Sequence, residues 1–404
     1  MASTRRPEEQ RAAVTVGIRT GDIRGSDHRA LQAAVEYVAG LGGGTVTIGP
    51  GRYLMRNALT LRDNVQVSGV PGRTILVACD GVEARLALDG DCNERQITLA
   101  DPGGFRVGDG VAILDDRMGG GFGVTTATLL SQLDPATFRI SAPLYLDYMV
   151  SLKARARLVF PVIGGWRIRD AAVQGLTIDG NRAKALRLDG CRGGGIYLFE
   201  CQNVAIRDCV VRDCSGDGIA FQVSDDVTVA DCACEHNASL GLHPGSGSQR
   251  PVVRGNRSVG NGGDGLFVCW RVKHGLFEQN EISANKGYGI SIGHKDTDNL
   301  FRGNAITGNG KAGVLFRDES EPMGAHRNVF EVNTILDNGA AETPRARAAI
   351  MVLGHTHDLV FRGNKIGSSK SGAHAGIVRG KHVRGLAVTG NQFLRVKHEV
   401  IAGR

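Results

Sequence analysis

The 404-residue sequence predicts an all-β chain wound as a right-handed parallel β-helix, a single-stranded solenoid with about 23–24 residues per regular coil and a short N-terminal capping helix. Three observations predict it. Glycine fills 58 positions, roughly twice its usual share, while the 11 prolines and the lack of a three-residue period exclude collagen. A glycine followed by β-prone alternation recurs at Gly195, Gly218, Gly241, Gly265, Gly289 and Gly313, at spacings of 23, 23, 24, 24 and 24 residues. A second ladder keeps step: Cys209, Cys232, Asn256, Asn280 and Asn304, then Asn333, Asn364 and Asn391 across wider gaps.

Two strands and their turns in such a repeat cannot bury a face alone, whereas coil stacked on coil makes one continuous core. Period-2 alternation argues against a helical solenoid. Asparagine tolerates left-handed backbone angles and bonds to nearby backbone, which suits a stacked turn. The whole chain, 1–404, reads as one β-helix domain, with a cap and first coil over 20–53 and regular coils over 160–395. In the cap, Leu31, Val35 and Val38 follow helical spacing, with Ser26 or Asp27 as N-cap. Gly42–Ile48 opens the first strand, and the helix would hide the open end of the solenoid. Residues 98–155 read as a small β-rich insertion able to wall one side of a cleft.

Composition narrows the function classes. Hydrophobic residues make up 42% and charged residues 22%, which excludes a largely disordered chain, and no apolar run is long enough to span a bilayer. A formal charge of +7 over 404 residues is a mild bias, so neither nucleic acid nor a membrane is expected as partner. The first residues carry no apolar export segment, so a cytoplasmic protein is expected, or a secreted one if a leader has been removed. The nine cysteines, an odd number without a CxxC pair, read mainly as reduced, buried small residues.

The run from Asp27 to Tyr53, DHRALQAAVEYVAGLGGGTVTIGPGRY, is similar to the N-terminal signature of the pectate-lyase-like superfamily of β-helix proteins, shared with many phage tailspikes. The later coils resemble carbohydrate-active β-helix repeats found also in alginate C5-epimerases. The resemblance implies a glycan partner, in oligosaccharide or polysaccharide form. It also implies a homotrimer, an assembly that related folds often form. It leaves the reaction open, because lyases, hydrolases, epimerases, fructotransferases and structural fibres share the scaffold.

Alternation turns the first and third residues after each glycine inward and the second and fourth outward. The outward set includes Gln222, His243, Phe267, Cys269, Ser291 and Arg317, many of its members small, which leaves a shallow groove. Coils stack at about 4.8 Å, so turn residues 24 apart become neighbours. Trp270, His294 and Asp318 then share one register, and Arg271, Lys295 and Glu319 the next. Such residues are often merely solvated, but an exposed Trp with histidines and alternating charges on adjacent coils suits a ligand site. Trp270 would stack on a sugar face, while His243, Arg271, Asp298 and Arg317 would help to bind its carboxylate or hydroxyls.

Two enzyme chemistries fit. A β-eliminating lyase or C5-epimerase acting on an acidic glycan needs a base for the C5 proton and positive groups near the uronate carboxylate. His294, Lys295 or Lys273 supply the base, with Arg271 and Arg317 as neutralisers. A glycoside hydrolase or glycosyl(fructo)transferase needs paired carboxylates, for which Asp296, Asp298, Asp318 and Glu319 are candidates. The polygalacturonase pattern of NTD, paired Asp and GHG is absent. A third account is a non-catalytic glycan-binding or structural β-helix. No cofactor is required, although Asp296, Asp298 and Asp318 offer a Ca²⁺ site; His355-x-His357-Asp358 has metal-like spacing without a defined partner set.

Overall fold

The computed structural model describes residues 11–117, 123–342, 347–370 and 373–403; the first ten residues, on which part of the export reading rests, lie outside them. Three long parallel sheets of 13, 11 and 11 strands run the length of a right-handed β-helix. Each regular coil contributes three short strands, not two, as in Ile196–Phe199, Ala205–Arg207 and Val210–Arg212. The third strand is only three residues long, too short to announce itself by alternation. The corner before it is a left-handed residue, Asp208, Asp231, Gly255, Gln279 and Gly303 on successive coils.

The residue after each of these corners is buried, Cys209 and Cys232 on the first two coils and then Asn256, Asn280 and Asn304, which form the asparagine ladder. The Asn280 amide donates to the Val253 carbonyl and to Asn304 Oδ1, both at 2.9 Å, and Asn304 Oδ1 also accepts from the Asn280 backbone N–H. Corner carbonyls and amides that the short strands cannot pair are thereby satisfied. A second ladder, Asn237, Asn261, Asn285, Asn309 and Asn338, fills the next corner in the same way. Its spacing of 24, 24, 24 and 29 residues was equally visible in the sequence. Between the ladders runs a dry core in which Phe277, Phe301, Phe330 and Phe361 stack with centroids 4.7, 4.4 and 5.2 Å apart.

The first described strands pack under one helix, α1 (His28–Gly40), whose buried face is Leu31, Ala34, Val35 and Val38. Asp27, not Ser26, is the N-cap: its carboxylate accepts the Arg29 N–H. The helix covers strands Ala12–Gly17, Gly44–Ile48 and Val65–Ser68, closing that end of the core. No helix among the described residues is long and apolar enough to cross a membrane.

Between strands Thr74–Ala78 and Ile163–Trp166 the chain leaves the solenoid to form a six-stranded antiparallel sheet from Glu83 to Arg157. It therefore reaches beyond the 98–155 segment at both ends. Leu186 and Leu188, on the loop that follows the first long coil, pack against Ala112, Leu114, Val124 and Val159 of this region. A cleft of about 290 Å³ separates insertion from solenoid, lined by Thr126, Thr128 and Ser141 on one side and Thr60, Pro161 and Trp166 on the other.

Candidate functional site

Ile163–Trp166, Ile196–Phe199, Ile219–Gln222, Leu242–Gly245, Leu266–Cys269, Ile290–Gly293 and Val314–Phe316, neighbours in one of the two eleven-stranded sheets, carry the side chains expected to line a groove. Its register aligns Ile219, Leu242, Leu266, Ile290 and Val314, all buried. Hence Gln222, His243, Phe267, Cys269, Ser291 and Arg317 lie on its outer side, as alternation requires.

The turn after each of these strands is strained where the groove is most polar. One coil places Ser246 and Gly247 at φ 45° and 89°. The next two coils place Trp270 and Arg271 at 73° and 64°, and His294 and Lys295 at 48° and 69°. Left-handed angles suit glycine and are costly for bulky side chains, by on the order of 1–3 kcal/mol each. The turn holds them because the backbone is clamped from both sides: Arg271 N–H donates to His294 O, and Lys295 N–H to Met323 O.

This geometry packs Trp270, 45% exposed, against the His294 ring, with centroids 5.1 Å apart and planes tilted by 40°. His294 Nε2 lies 2.9 Å from Glu319 Oε1 in an ion-pair contact, while Nδ1 shares a 3.3 Å hydrogen bond with Cys269 Sγ. Burial and the Arg317 charge lower the His294 pKa, against the pull of Glu319. Burial pushes the Cys269 thiol up to about 12. Arg317 folds back across the groove, donating to Ser291 Oγ at 2.9 Å and Val268 O at 2.8 Å, with its Cζ 4.6 Å from the centre of the Phe267 ring. Its Nε is buried without a partner among the described residues.

The other expected site residues divide. Asp296 lies beneath the turn, fully buried, accepting the Val272 and Gly293 N–H groups and facing Arg317 at 3.3 Å. Burial raises its pKa to about 7, against those hydrogen bonds and Arg317. Asp298 is held at the next corner by both nitrogens of an Arg327 fork, at 2.7 and 2.9 Å, so it binds the following coil and not the groove. Asp318 is exposed, and Glu319 takes the place beside His294 that the register expectation gave to Asp318. The reason is local: the strand ends at Phe316 and the chain leaves the 24-residue repeat. Arg271 and Lys295 are exposed on the turn, and Lys273 sits half-buried in a bridge between Gln249 and Thr297. Asp296, Asp298 and Asp318 are thus engaged in different places and do not assemble the Ca²⁺ ligand set considered for them.

A second cluster was not singled out by the sequence beyond His243. His243 Nδ1 donates to Asp217 Oδ2 at 2.8 Å and lies 3.6 Å from Cys191 Sγ. Gln222 Nε2 is 3.3 Å from His243 Nε2 and 3.5 Å from Cys191 Sγ. The Asp217 side chain is fully buried and that of His243 12% exposed. Burial opposes charge on His243, but Cys191 and Asp217 outweigh it and raise its pKa to about 10. These three ligating groups, and a separate trio of Glu321, His326 and His357, are spaced closely enough to hold a metal ion. In the latter, His357 stacks on His326 at 3.6 Å, while His355 stacks on His382. All nine cysteines are free thiols.

Residues 171–330 match the family model described as "Right handed beta helix region". No curated protein matches the chain by sequence. Among solved structures, the A-module of mannuronan C-5 epimerase AlgE6 from Azotobacter vinelandii is 16% identical, with a TM-score of 0.50 over 93% of this chain and 95% of that one. An exopolygalacturonase from Thermotoga maritima is 11% identical, with a TM-score of 0.55 over 96% and 91%. ORF18 of Geobacillus virus E2, also 11% identical, reaches 0.57 over 96% of this chain and 62% of its own. The fold is the shared feature.

Proposed function

We propose that the groove binds an acidic oligosaccharide or polysaccharide and that the turn around His294 acts on a uronate unit, by β-elimination or C5 epimerisation. The observation that carries the reading is the placement of His294, 2.9 Å from Glu319 and flanked by Arg317 and the exposed Trp270, with its pKa held below the usual imidazole value. With an Nε2 proton turned toward Glu319, 2.9 Å away, His294 would keep Nδ1 as the basic nitrogen. Only a weak thiol hydrogen bond from Cys269 must yield for Nδ1 to take the C5 proton. Arg317 keeps one Nη1 N–H beyond the donors it gives Ser291, Val268 and Asp296, and this N–H would stabilise charge building on the sugar carboxylate. Trp270 offers its free face to the ring. A mannuronan C-5 epimerase module and an exopolygalacturonase share the fold, and both are carbohydrate-active by name.

The glycosidase alternative draws less support. It needs two carboxylates open to the substrate, but Asp296 has no exposed surface, Asp298 is held by Arg327 and Glu319 is paired with His294, which leaves Asp318 as the open member of the four. The test is a panel of uronate-containing and neutral oligosaccharides in D₂O, followed by ultraviolet absorbance and mass spectrometry. An unsaturated-uronate chromophore, or deuterium entering at C5 without one, is the expected result. Products that gain water with neither signal would replace this reading with hydrolysis.

A further inference from the structure

We infer that Cys191, Asp217 and His243 form a binding site for a zinc-type divalent ion, with one coordination position left for an exchangeable ligand from the groove. The inference does not depend on the proposed reaction at His294. It starts from wiring. In a nucleophile–base–orienter relay, the nucleophile and the carboxylate occupy opposite nitrogens of the imidazole. Here Cys191 Sγ and Asp217 Oδ2 crowd the same nitrogen, His243 Nδ1, at 3.6 and 2.8 Å. A thiol, a carboxylate and one imidazole nitrogen drawn together make a poor proton relay, and once Nδ1 and Sγ give up their protons they make a good set of metal ligands.

The dimensions agree with a tetrahedral ion. Zinc bond lengths of about 2.3 Å to sulfur and about 2.0–2.1 Å to nitrogen place those two ligands ~3.6 Å apart at tetrahedral angles. Sγ and Nδ1 lie 3.6 Å apart. The carboxylate is closer than the ~3.3 Å that the same bond lengths require and would swing outward about its Cβ–Cγ bond. Its other oxygen accepts the Leu240 N–H at 3.2 Å, which keeps the carboxylate at the site. His243 Nε2 faces the buried amide of Gln222 at 3.3 Å. With Oε1 turned to it, Gln222 would hold the tautomer that leaves Nδ1 for the metal. A single thiolate with nitrogen and oxygen selects a borderline-soft ion over Ca²⁺, which takes six to eight oxygens.

The ligands come from three different supports: the loop braced on the insertion, the turn before Gly218, and the strand Leu242–Gly245. None is on a chain end, and all three face the groove sheet. The site would thus tie the insertion loop to the solenoid.

The test uses the full chain, freed of metal by a chelator and then titrated with Co²⁺ and Zn²⁺. One equivalent of Co²⁺ is expected to give tetrahedral visible bands and a thiolate charge-transfer band, both displaced by Zn²⁺. Cys191→Ser should abolish the charge-transfer band and weaken Zn²⁺ binding at least tenfold. His243→Gln should weaken it similarly, and serves where Cys191→Ser fails to fold. His357→Ala, in the other trio, should change nothing. Absence of binding in the parent chain overturns the inference. So does a charge-transfer band that survives Cys191→Ser, or binding that His357→Ala removes.

Discussion

The same three kinds of group, a thiol, an imidazole and a carboxylate, meet twice on one sheet face, and they are connected differently. At His294 the partners sit on opposite ring nitrogens, Cys269 at Nδ1 and Glu319 at Nε2. At His243 both Cys191 and Asp217 sit on Nδ1. The first arrangement passes a proton along a line, and the second gathers donors around a point. Residue type alone does not distinguish them; the coil geometry does. Cys269, His294 and Glu319 come from consecutive coils at nearly one lateral position. Cys191, Asp217 and His243 step diagonally, 26 residues at a time, across a repeat of 23 or 24.

The largest expected effect breaks the comparison at its centre. His294→Gln keeps the shape of the ring site without a base, so kcat on the active uronate should fall by about 10²–10⁴ with KM little changed. Equal loss on substitution of His243 with no loss at His294 would exchange the two roles.

The next effect is on pH dependence. A lowered His294 pKa makes the base available above a value under 6.5, and Asp296, protonated up to about 7, leaves the Arg317 charge unquenched. Activity should therefore be bell-shaped, and Asp296→Asn should remove the alkaline limb. The same carboxyl has a stability signature. Its folded pKa exceeds the unfolded value of 3.8, so its contribution is full below that value and lost as pH rises through about 7. Because Asp296 is fully buried, the loss is on the order of 2–4 kcal/mol, and denaturant midpoints of Asp296→Asn should be flatter between about pH 4 and about pH 7, the interval between the unfolded and folded pKa values.

Cys269→Ser sharpens the contrast further. A thiol with a pKa near 12 is almost wholly protonated at neutral pH, so it cannot be the nucleophile that its linear geometry suggests. Its replacement should change kcat by less than about tenfold. A larger loss, with a trapped covalent intermediate in the parent, would mean that the first cluster is a nucleophilic relay.

How much of this was legible in the sequence follows from the repeat itself. Wherever the chain keeps its 24-residue step, as from Trp270 to His294, the register was readable and the neighbours are those expected. The inward Ile290 and Val314 and the asparagine ladder are legible for the same reason. Legibility fails where the step changes. Glu319 displaces Asp318 beside His294 because the coil lengthens after Phe316. Asp298 looked like a groove ligand until the Arg327 fork, 29 residues on, claimed it. The Cys191 cluster was hidden because no single register links its members, and because its loop is positioned by packing on the insertion, a contact that periodicity does not encode.

The smallest effect tests whether the strained turn is kept for binding. Arg271 at φ 64° occupies the position that Gly247 holds on the preceding coil at φ 89°. Its exposed guanidinium lies 5.8 Å from the centre of the Trp270 ring, a contact worth about 0.5–1 kcal/mol at an exposed site. Relief of a left-handed, non-glycine residue recovers about 1–2 kcal/mol, partly offset by the greater backbone freedom of glycine in the unfolded chain. Arg271→Gly should therefore stabilise the chain slightly, by about 0.5 kcal/mol in denaturant unfolding, while weakening binding of an acidic oligosaccharide several-fold. A stability gain with unchanged affinity would mark the turn as strained for the sake of the coil connection alone, and would leave His294 and Arg317 as the groups that recognise the glycan.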